Sequence, residues 1–251
     1  MNLDLAGKRV LVTGSSHGIG LGIVESFQRE GASVVSNGRD EERLTESLSD
    51  LENCFGVVGD VTNPSQATKL VQKTSKILGG IDILVCNVGS GASVPPGEES
   101  FHEWQKSLSI NLLSATNVVE AATEELKKSQ GVIVCITSIC GCEVISGAPV
   151  TYSVAKAALN AYIRGISIPL AKHGIRINGI APGNILFKNS VWDKKLKEDP
   201  VAVGKMLDEK VPLRKLGSPD DVANLALWLS SPISNFVTGC IHVSDGGQIR
   251  N

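Results

Sequence analysis

Arg9-Val-Leu-Val-Thr-Gly-Ser-Ser-His-Gly-Ile-Gly20 runs from a β-type apolar stretch through a glycine-rich turn into a helix-length segment. Glycines at 14, 18 and 20 let the backbone turn tightly and let a ligand approach it closely, because no Cβ stands in the way. A helix that opens at such a turn presents unpaired N–H groups and the positive end of its dipole, which together suit a pyrophosphate. The spacing is Gly-x3-Gly-x-Gly rather than Gly-x-Gly-x-x-Gly. Its position between a strand and a helix marks a dinucleotide-binding unit of a doubly wound sheet.

Outward from this unit, β-type runs alternate with helix-length segments to the end of the chain. The strands expected are Arg9–Thr13, Ser33–Ser36, Cys54–Val58, Ile81–Cys86, Gly131–Ile136, Ile175–Ile180 and Cys240–Val243. Most are continuous apolar runs, as in a parallel sheet covered on both faces. Asn63-Pro64 and Ser218-Pro219, the latter with Asp220 and Asp221 in the first turn, open helices, and Gly79-Gly80 closes one. There is no internal repeat and no linker. The fold class predicted is α/β, a single doubly wound Rossmann-type domain over 1–251 with a seven-stranded parallel sheet flanked by helices. Residues 187–216 interrupt the alternation with a helical, strongly charged segment after the sixth strand's carboxyl end. It reads as a substrate lid, with a solvated surface helix as the alternative.

Composition narrows the classes. In 251 residues, 42% are hydrophobic, 20% are charged, and the net charge is −2; neither nucleic acid nor an anionic membrane is an expected partner. No apolar stretch approaches the ~20 residues of a transmembrane helix. The N-terminal residues lack the order of a signal peptide, and six cysteines without a disulfide framework read as the reduced thiols of a cytoplasmic protein. Of six cysteines, Cys54, Cys86, Cys135 and Cys240 lie in or beside strand-like runs and read as small buried hydrophobes. Cys140 and Cys142 share a loop without the partners of a zinc site, so no metal is expected.

Tyr152 and Lys156, in Thr151-Tyr-Ser-Val-Ala-Lys-Ala-Ala-Leu159, stand four apart. On a helix they share a face, and an ammonium near a phenol favours the ionised form. That arrangement would make a proton donor and acceptor for carbonyl and alcohol chemistry. Ser138 closes the fifth strand and Tyr152 opens the next helix, so both are expected at the sheet's carboxyl ends. Thr137 is the alternative hydroxyl. Tyr162 lacks a Lys four residues on and reads as packing, while His102, His173 and His242 read as surface or capping residues.

Taken in order, Thr13-Gly-x3-Gly-Ile-Gly20, Asp60-Val61, Cys86-Asn-Val-Gly89, Asn111, Ser138, Tyr152-x3-Lys156, Pro182-Gly183 and Asp245-Gly-Gly247 resemble the short-chain dehydrogenase/reductase family across nearly the whole chain. The resemblance implies that Asn111, Ser138, Tyr152 and Lys156 are catalytic. Asn111 would anchor a water linking Lys156 to solvent, and Lys156 would bond the nicotinamide ribose. It implies a cofactor site made of Gly14, Ser16, His17, Gly18, Ile19 and Gly20, then Arg39, Asp60 and Val61 toward the adenine. Asn87, Val88 and Gly89 would lie beneath the cofactor, with Tyr152, Lys156, Pro182, Gly183 and Ile185 around the nicotinamide. Cys86 and Val88 depart from the family's usual Asn-Asn-Ala-Gly, and Phe187 stands where a Thr often meets the carboxamide. The Ser138–Tyr152 gap is one residue longer than is usual, so its loop must bulge. Relatives of this length form tetramers, and 236–247 suits such an interface; a homotetramer, or a dimer, is expected.

Cofactor choice follows from charge. A carboxylate after the second strand selects NAD, but Ser36-Asn-Gly-Arg-Asp40 has Gly38 there and Arg39 next. The Arg39 fork suits a 2′-phosphate, and His17 is a second donor, so NADP(H) is favoured over NAD(H). Pairing of Arg39 with Asp40, Glu41 or Glu42 is the competing use. The function expected is hydride transfer between NADP(H) and a small-molecule carbonyl or secondary alcohol. A non-catalytic NADP(H) sensor and an epimerase or dehydratase are the other readings. Eight cations in 187–216 suit an acidic, phosphorylated or carrier-linked substrate as well as they suit a solvated helix.

Overall fold

β1 (Arg9–Val12), β2 (Ser33–Gly38), β3 (Cys54–Val58), β4 (Ile83–Cys86), β5 (Val132–Ile136), β6 (Arg176–Pro182) and β7 (Ile241–Ser244) form one parallel sheet in the order β3-β2-β1-β4-β5-β6-β7. The computed structural model describes residues 2–250. All seven expected runs are strands; Cys54–Val58 is met end to end and the other six are shifted at one or both ends by a residue or two. β6 reaches Pro182 because Ala181 and Pro182 pair with Val243 and Ser244 of β7.

The helices are α1 (Gly18–Arg29), α2 (Glu41–Ser47), α3 (Pro64–Leu78), α4 (Phe101–Leu108), α5 (Ser114–Ser129), α6 (Val150–Ala171), α7 (Val191–Glu198), α8 (Pro200–Lys210) and α9 (Pro219–Ser230). Their boundaries follow the local signals. Asn63 caps α3 by accepting from the Gln66 N–H at 3.1 Å, and Gly79 ends it in the left-handed conformation. Ser218 and Asp221 form a reciprocal capping box at the start of α9.

Alternate residues along each central strand enter different cores. From β5, Ile133 and Cys135 pack under α3, α5 and α6, whereas Val132, Val134 and Ile136 pack under α1 and α9. Both faces are therefore buried, which is why the strand sequences show no polar alternation. Each large aliphatic side chain buried here contributes roughly 1.5–3 kcal/mol.

The cysteine expectation holds only for central strands. Cys86 and Cys135 are buried and in register across β4 and β5, but Cys54 is half-buried and Cys240 exposed. Those two lie on and beside the edge strands β3 and β7, where no further strand covers them. His242 likewise differs from a plain surface residue: on β7 its ring packs edge-on to Trp228 at 6.1 Å.

The strand order reverses between β1 and β4, so the connections from these neighbours leave the sheet in opposite directions. That divergence opens a crevice at the strands' carboxyl ends. Residues 187–216 border it as α7, α8 and their flanks, and the segment is tied at its neck. Ile185 bridges to Gly217, with Leu186 N donating to Gly217 O at 2.8 Å and Gly217 N to Asn184 O at 2.9 Å.

Candidate active site

Two cavities meet in the crevice. The first encloses 480 Å³ and is bounded by Gly14, Ser16, His17, Ile19 and Gly20 before and within α1, by Arg39 after β2, by Asp60 and Val61 after β3, and by Asn87, Val88 and Gly89 after β4. Eleven of the expected cofactor residues thus line one space. The backbone there is crowded: a Cβ on Gly20 would lie 2.7 Å from both the Gly14 carbonyl oxygen and Ser15 Cα. His17, the N-cap of α1, is extended, its side chain caps nothing, and the first turn holds no acid. The first-turn N–H groups therefore remain open to an anion, and a phosphate-bearing cofactor fits. Gly18 does not border the cleft itself; at φ 60° it supports the turn, and the Phe187 ring lies over it, 2.7 Å from where a Cβ would stand.

Arg39 faces this cleft with its side chain 76% exposed. Its carboxylate neighbour is Asp60, at 3.8 Å, and not Asp40, Glu41 or Glu42. Asp40 is engaged as the N-cap of α2, accepting from Arg43 N at 3.0 Å. Arg43 borders the same cleft and escaped the sequence reading. The cap at Asp40 was the available signal, since it places Arg43 in the first turn beside the β2 end. Asn37 was also missed. It is buried, and its side chain donates to Val57 O and Gly59 O, both at 3.0 Å, and accepts from Gly14 N at 3.4 Å. A lone Asn inside the apolar β2 run was the sign of this cross-link. His17 is held below its ordinary pKa by burial and then by the Arg43 charge, which favours the neutral ring.

The second cavity encloses 660 Å³ and contains Ser138, Tyr152, Lys156, Pro182, Gly183 and Ile185 on its walls. Ile19, Gly89, Ser90 and Phe187 border both cavities, so the two form one continuous crevice. Ser138 caps a 3-10 turn, Ile139–Gly141, by accepting from Cys140 N at 3.1 Å, which leaves its own proton available. Thr137 Oγ1 instead donates to Ile180 O at 3.0 Å, so Ser138 is the better placed hydroxyl. The longer connection to Tyr152 does bulge: Val144 at its tip is 98% exposed. Asn111 borders neither cavity. It lies buried in a π-helical turn, Ser109–Leu113, where its side chain accepts from Ser90 N at 2.8 Å and donates to Ser107 O at 3.2 Å. A Cβ on Gly89 would stand 2.9 Å from Lys156 Nζ and 3.2 Å from Asn111 Oδ1, which places both side chains beside Gly89.

The electrostatics of the pair differ from the sequence expectation. Lys156 Nζ is buried, donates to Ile136 O at 2.8 Å, and lies 6.0 Å from the centre of the Tyr152 ring. Burial pushes the Tyr152 phenol up to about 12, with the nearby Ser138 hydroxyl opposing it. Burial lowers Lys156 to about 8. The ammonium thus does not bring the phenol toward neutrality in this structure, because desolvation outweighs an attraction at this separation. Tyr162 packs half-buried against the core, as expected.

Phe187 takes the place of the hydroxyl residue expected near the carboxamide, with its ring 6.4 Å from that of His17. Ser190 is close by, but its Oγ accepts from Phe187 N and Asp193 N at 3.3 and 3.0 Å. Among the described residues no cluster suited to a metal ion occurs, and no helix is long and apolar enough to cross a membrane.

Comparison with known proteins places these features among relatives. The family described as Enoyl-(Acyl carrier protein) reductase matches residues 14–248. Isoepoxydon dehydrogenase of Penicillium expansum is 34% identical over 255 residues, covering 98% of this chain and 96% of that protein. A tropinone reductase homolog of Arabidopsis thaliana is 35% identical, covering 99% and 94%. The structure of L-sorbose reductase from Gluconobacter frateurii with NADPH and L-sorbose superposes with a TM-score of 0.93 at 30% identity over 100% of both chains. That of 7 alpha-hydroxysteroid dehydrogenase with NADH and 7-oxo glycochenodeoxycholic acid gives 0.90 at 30%, covering 100% and 97%.

Proposed function

The chain belongs to the short-chain dehydrogenase/reductase family and is a nicotinamide-dependent oxidoreductase, and from that premise we propose that it is an NADP(H)-dependent reductase of a small carbonyl compound. The observation that carries this reading is that Ser138, Tyr152 and Lys156 share one cavity, continuous with the glycine-loop cleft.

The α1 N-terminus and the glycine loop would hold the pyrophosphate, and Asp60 and Val61 the adenine. Arg39, with Arg43 and His17 nearby, would meet the 2′-phosphate. Asn87, Val88 and Gly89 would support the cofactor from below, while Pro182, Gly183 and Ile185 would pack on the nicotinamide. When bound, the reduced nicotinamide supplies two electrons and one hydrogen to the carbonyl carbon. Tyr152 transfers its phenolic proton to the carbonyl oxygen, and Ser138 donates a second hydrogen bond to that oxygen as its charge grows. Lys156 would bond the ribose and favour the phenolate left behind, and Asn111 would position Lys156 and its water from beneath Gly89. A phenol near 12 is protonated at neutral pH, the form that reduction requires.

The 2′-phosphate assignment rests on two arginines bordering a cleft that lacks an acid at position 38. A charge-assisted contact contributes about 1.5–3 kcal/mol. Arg39→Ala is therefore expected to weaken NADPH binding about tenfold or more while changing NADH binding little. Titration with both nucleotides checks it, and an unaltered preference refutes it.

Self-association belongs to the same proposal. β7 is an edge strand, and Phe236 just before it is fully exposed. An uncovered edge beside a large apolar side chain favours burial against a second copy. Sedimentation at micromolar concentration is expected to show a tetramer or dimer; a monomer overturns this part.

A further inference from the structure

The 660 Å³ cavity has a one-sided charge. Its walls include Lys156, Lys195 and Lys210, and no carboxylate among the described residues. Lys195 comes from α7 and Lys210 from the end of α8, the two helices of the 187–216 segment. Two other lysines of these helices are matched by acids one turn away: Lys197 Nζ lies 2.8 Å from Asp193 Oδ2, and Lys205 Nζ 3.8 Å from Glu209 Oε1. Lys194 is unpaired among the described residues and does not border the cavity. Lys195 and Lys210 make no ion pair among the described residues. Lys195 Nζ instead sits 4.7 Å from the centre of the Trp192 ring, which holds the ammonium at the cavity wall without using its donors. Nearby acids are engaged elsewhere. Asp193 also accepts from Asn189 N, and Asp199 caps α8 through Ala202 N.

We propose that the substrate is an anion, a carbonyl compound whose carboxylate or phosphate is held by Lys195 and Lys210 while its carbonyl meets Ser138 and Tyr152. This rests on the oxidoreductase reading for the carbonyl and on the two lysines alone for the anion. A solvated charged helix would distribute its cations without regard to the cavity. Here the two lysines that pair with acids, Lys197 and Lys205, lie away from it, and Lys195 and Lys210 border it. Three cations around a partly enclosed space produce a positive potential that a neutral substrate would not exploit and a cationic one would oppose. The walls also offer Ile145, Val191 and Met206, apolar side chains for the carbon body of the substrate.

The test uses three aryl ketones that differ only at the far end: 4-acetylbenzoate, 4-acetylphenyl phosphate and methyl 4-acetylbenzoate. kcat/KM with NADPH is measured for the natural protein, K195Q/K210Q and K195R/K210R, and calorimetric binding is measured on the Tyr152→Phe protein with NADPH. At least one anion is expected to exceed the neutral ester by about tenfold, with the difference in KM and shrinking as salt screens it. The Gln pair should bring that ratio to about one, and the Arg pair should keep it. Whichever anion leads tells a carboxylate from a phosphate. Ester binding equal to or better than both anions, or a ratio the Gln pair leaves untouched, overturns the proposal. Anion-selective binding without any turnover would instead sink the reductase reading and leave this one standing.

Discussion

Tyr152→Phe is expected to lower carbonyl reduction by about 10²–10⁴-fold, the range that a positioned proton donor supplies. The ring and its packing on α6 are retained, so the structure should survive and NADPH binding should stay nearly intact. The phenolic hydroxyl is the only group removed. Ser138 cannot replace it, because an ordinary hydroxyl gives up a proton far less readily than a phenol. Steady-state kinetics beside NADPH titration decide the matter. Retained turnover would remove Tyr152 from the mechanism, whereas tight NADPH binding with no turnover in either protein would favour a sensor. In the oxidative direction the phenol must lose its proton first. Burial holds it near 12, so alcohol oxidation should climb with pH through the alkaline range while reduction dominates near neutrality.

Lys156→Met is the second large effect, and it joins function to stability. Turnover should fall by two orders of magnitude or so, since the phenolate loses its nearest cation and the ribose its donor. Stability should respond in an unusual direction. Lys156 is 2% exposed, and its pKa is lowered from 10.5 to about 8. Below pH 8 the ammonium is charged in both states, and its desolvation costs the folded state roughly 3 kcal/mol, at 1.36 kcal/mol per unit. Between pH 8 and 10.5 the unfolded chain binds the extra proton, so that cost is relieved as pH rises. The methionine protein carries no such cost, although it leaves the Ile136 carbonyl without its donor, a loss of about 1–3 kcal/mol. The variant is thus expected to be about as stable as the natural protein at pH 7 and to lose ground against it as pH approaches 10. Denaturant unfolding at several pH values checks the sign; a difference that does not change with pH refutes the buried-ammonium account.

The two variants also separate roles. Tyr152→Phe should leave the pH dependence of stability near neutrality alone, because a phenol is uncharged there in both states. Only Lys156 imposes a cost at pH 7, which makes it the residue whose retention the stability of the fold does not explain.

How much was legible beforehand follows from how each residue signals. The strands were legible because a sheet buried on both faces writes itself as unbroken apolar runs, and the helix starts because Asn63, Ser218 and Asp221 use local hydrogen bonds. The glycine loop and the Tyr152–Lys156 spacing are equally local. What the chain could not display is what distant segments do to one another. Arg39 is followed directly by three acids in sequence, Asp40, Glu41 and Glu42, yet it faces Asp60 across the crevice because β2 and β3 end side by side. Asn37 and Arg43 join the site through that same junction.

The charge of Lys195 and Lys210 was visible in the sequence, but its orientation was not, since a helix carries lysines on any face and only folding chooses which of them find an acid. The Tyr152 phenol shows the same division most clearly. Sequence by itself determined the fold, the family and many of the side chains that line the crevice, because periodicity, caps and turn glycines are short-range physics. Tertiary structure alone decided the state of those side chains, because desolvation depends on everything packed around a group, and here it outweighs the lysine one helical turn away.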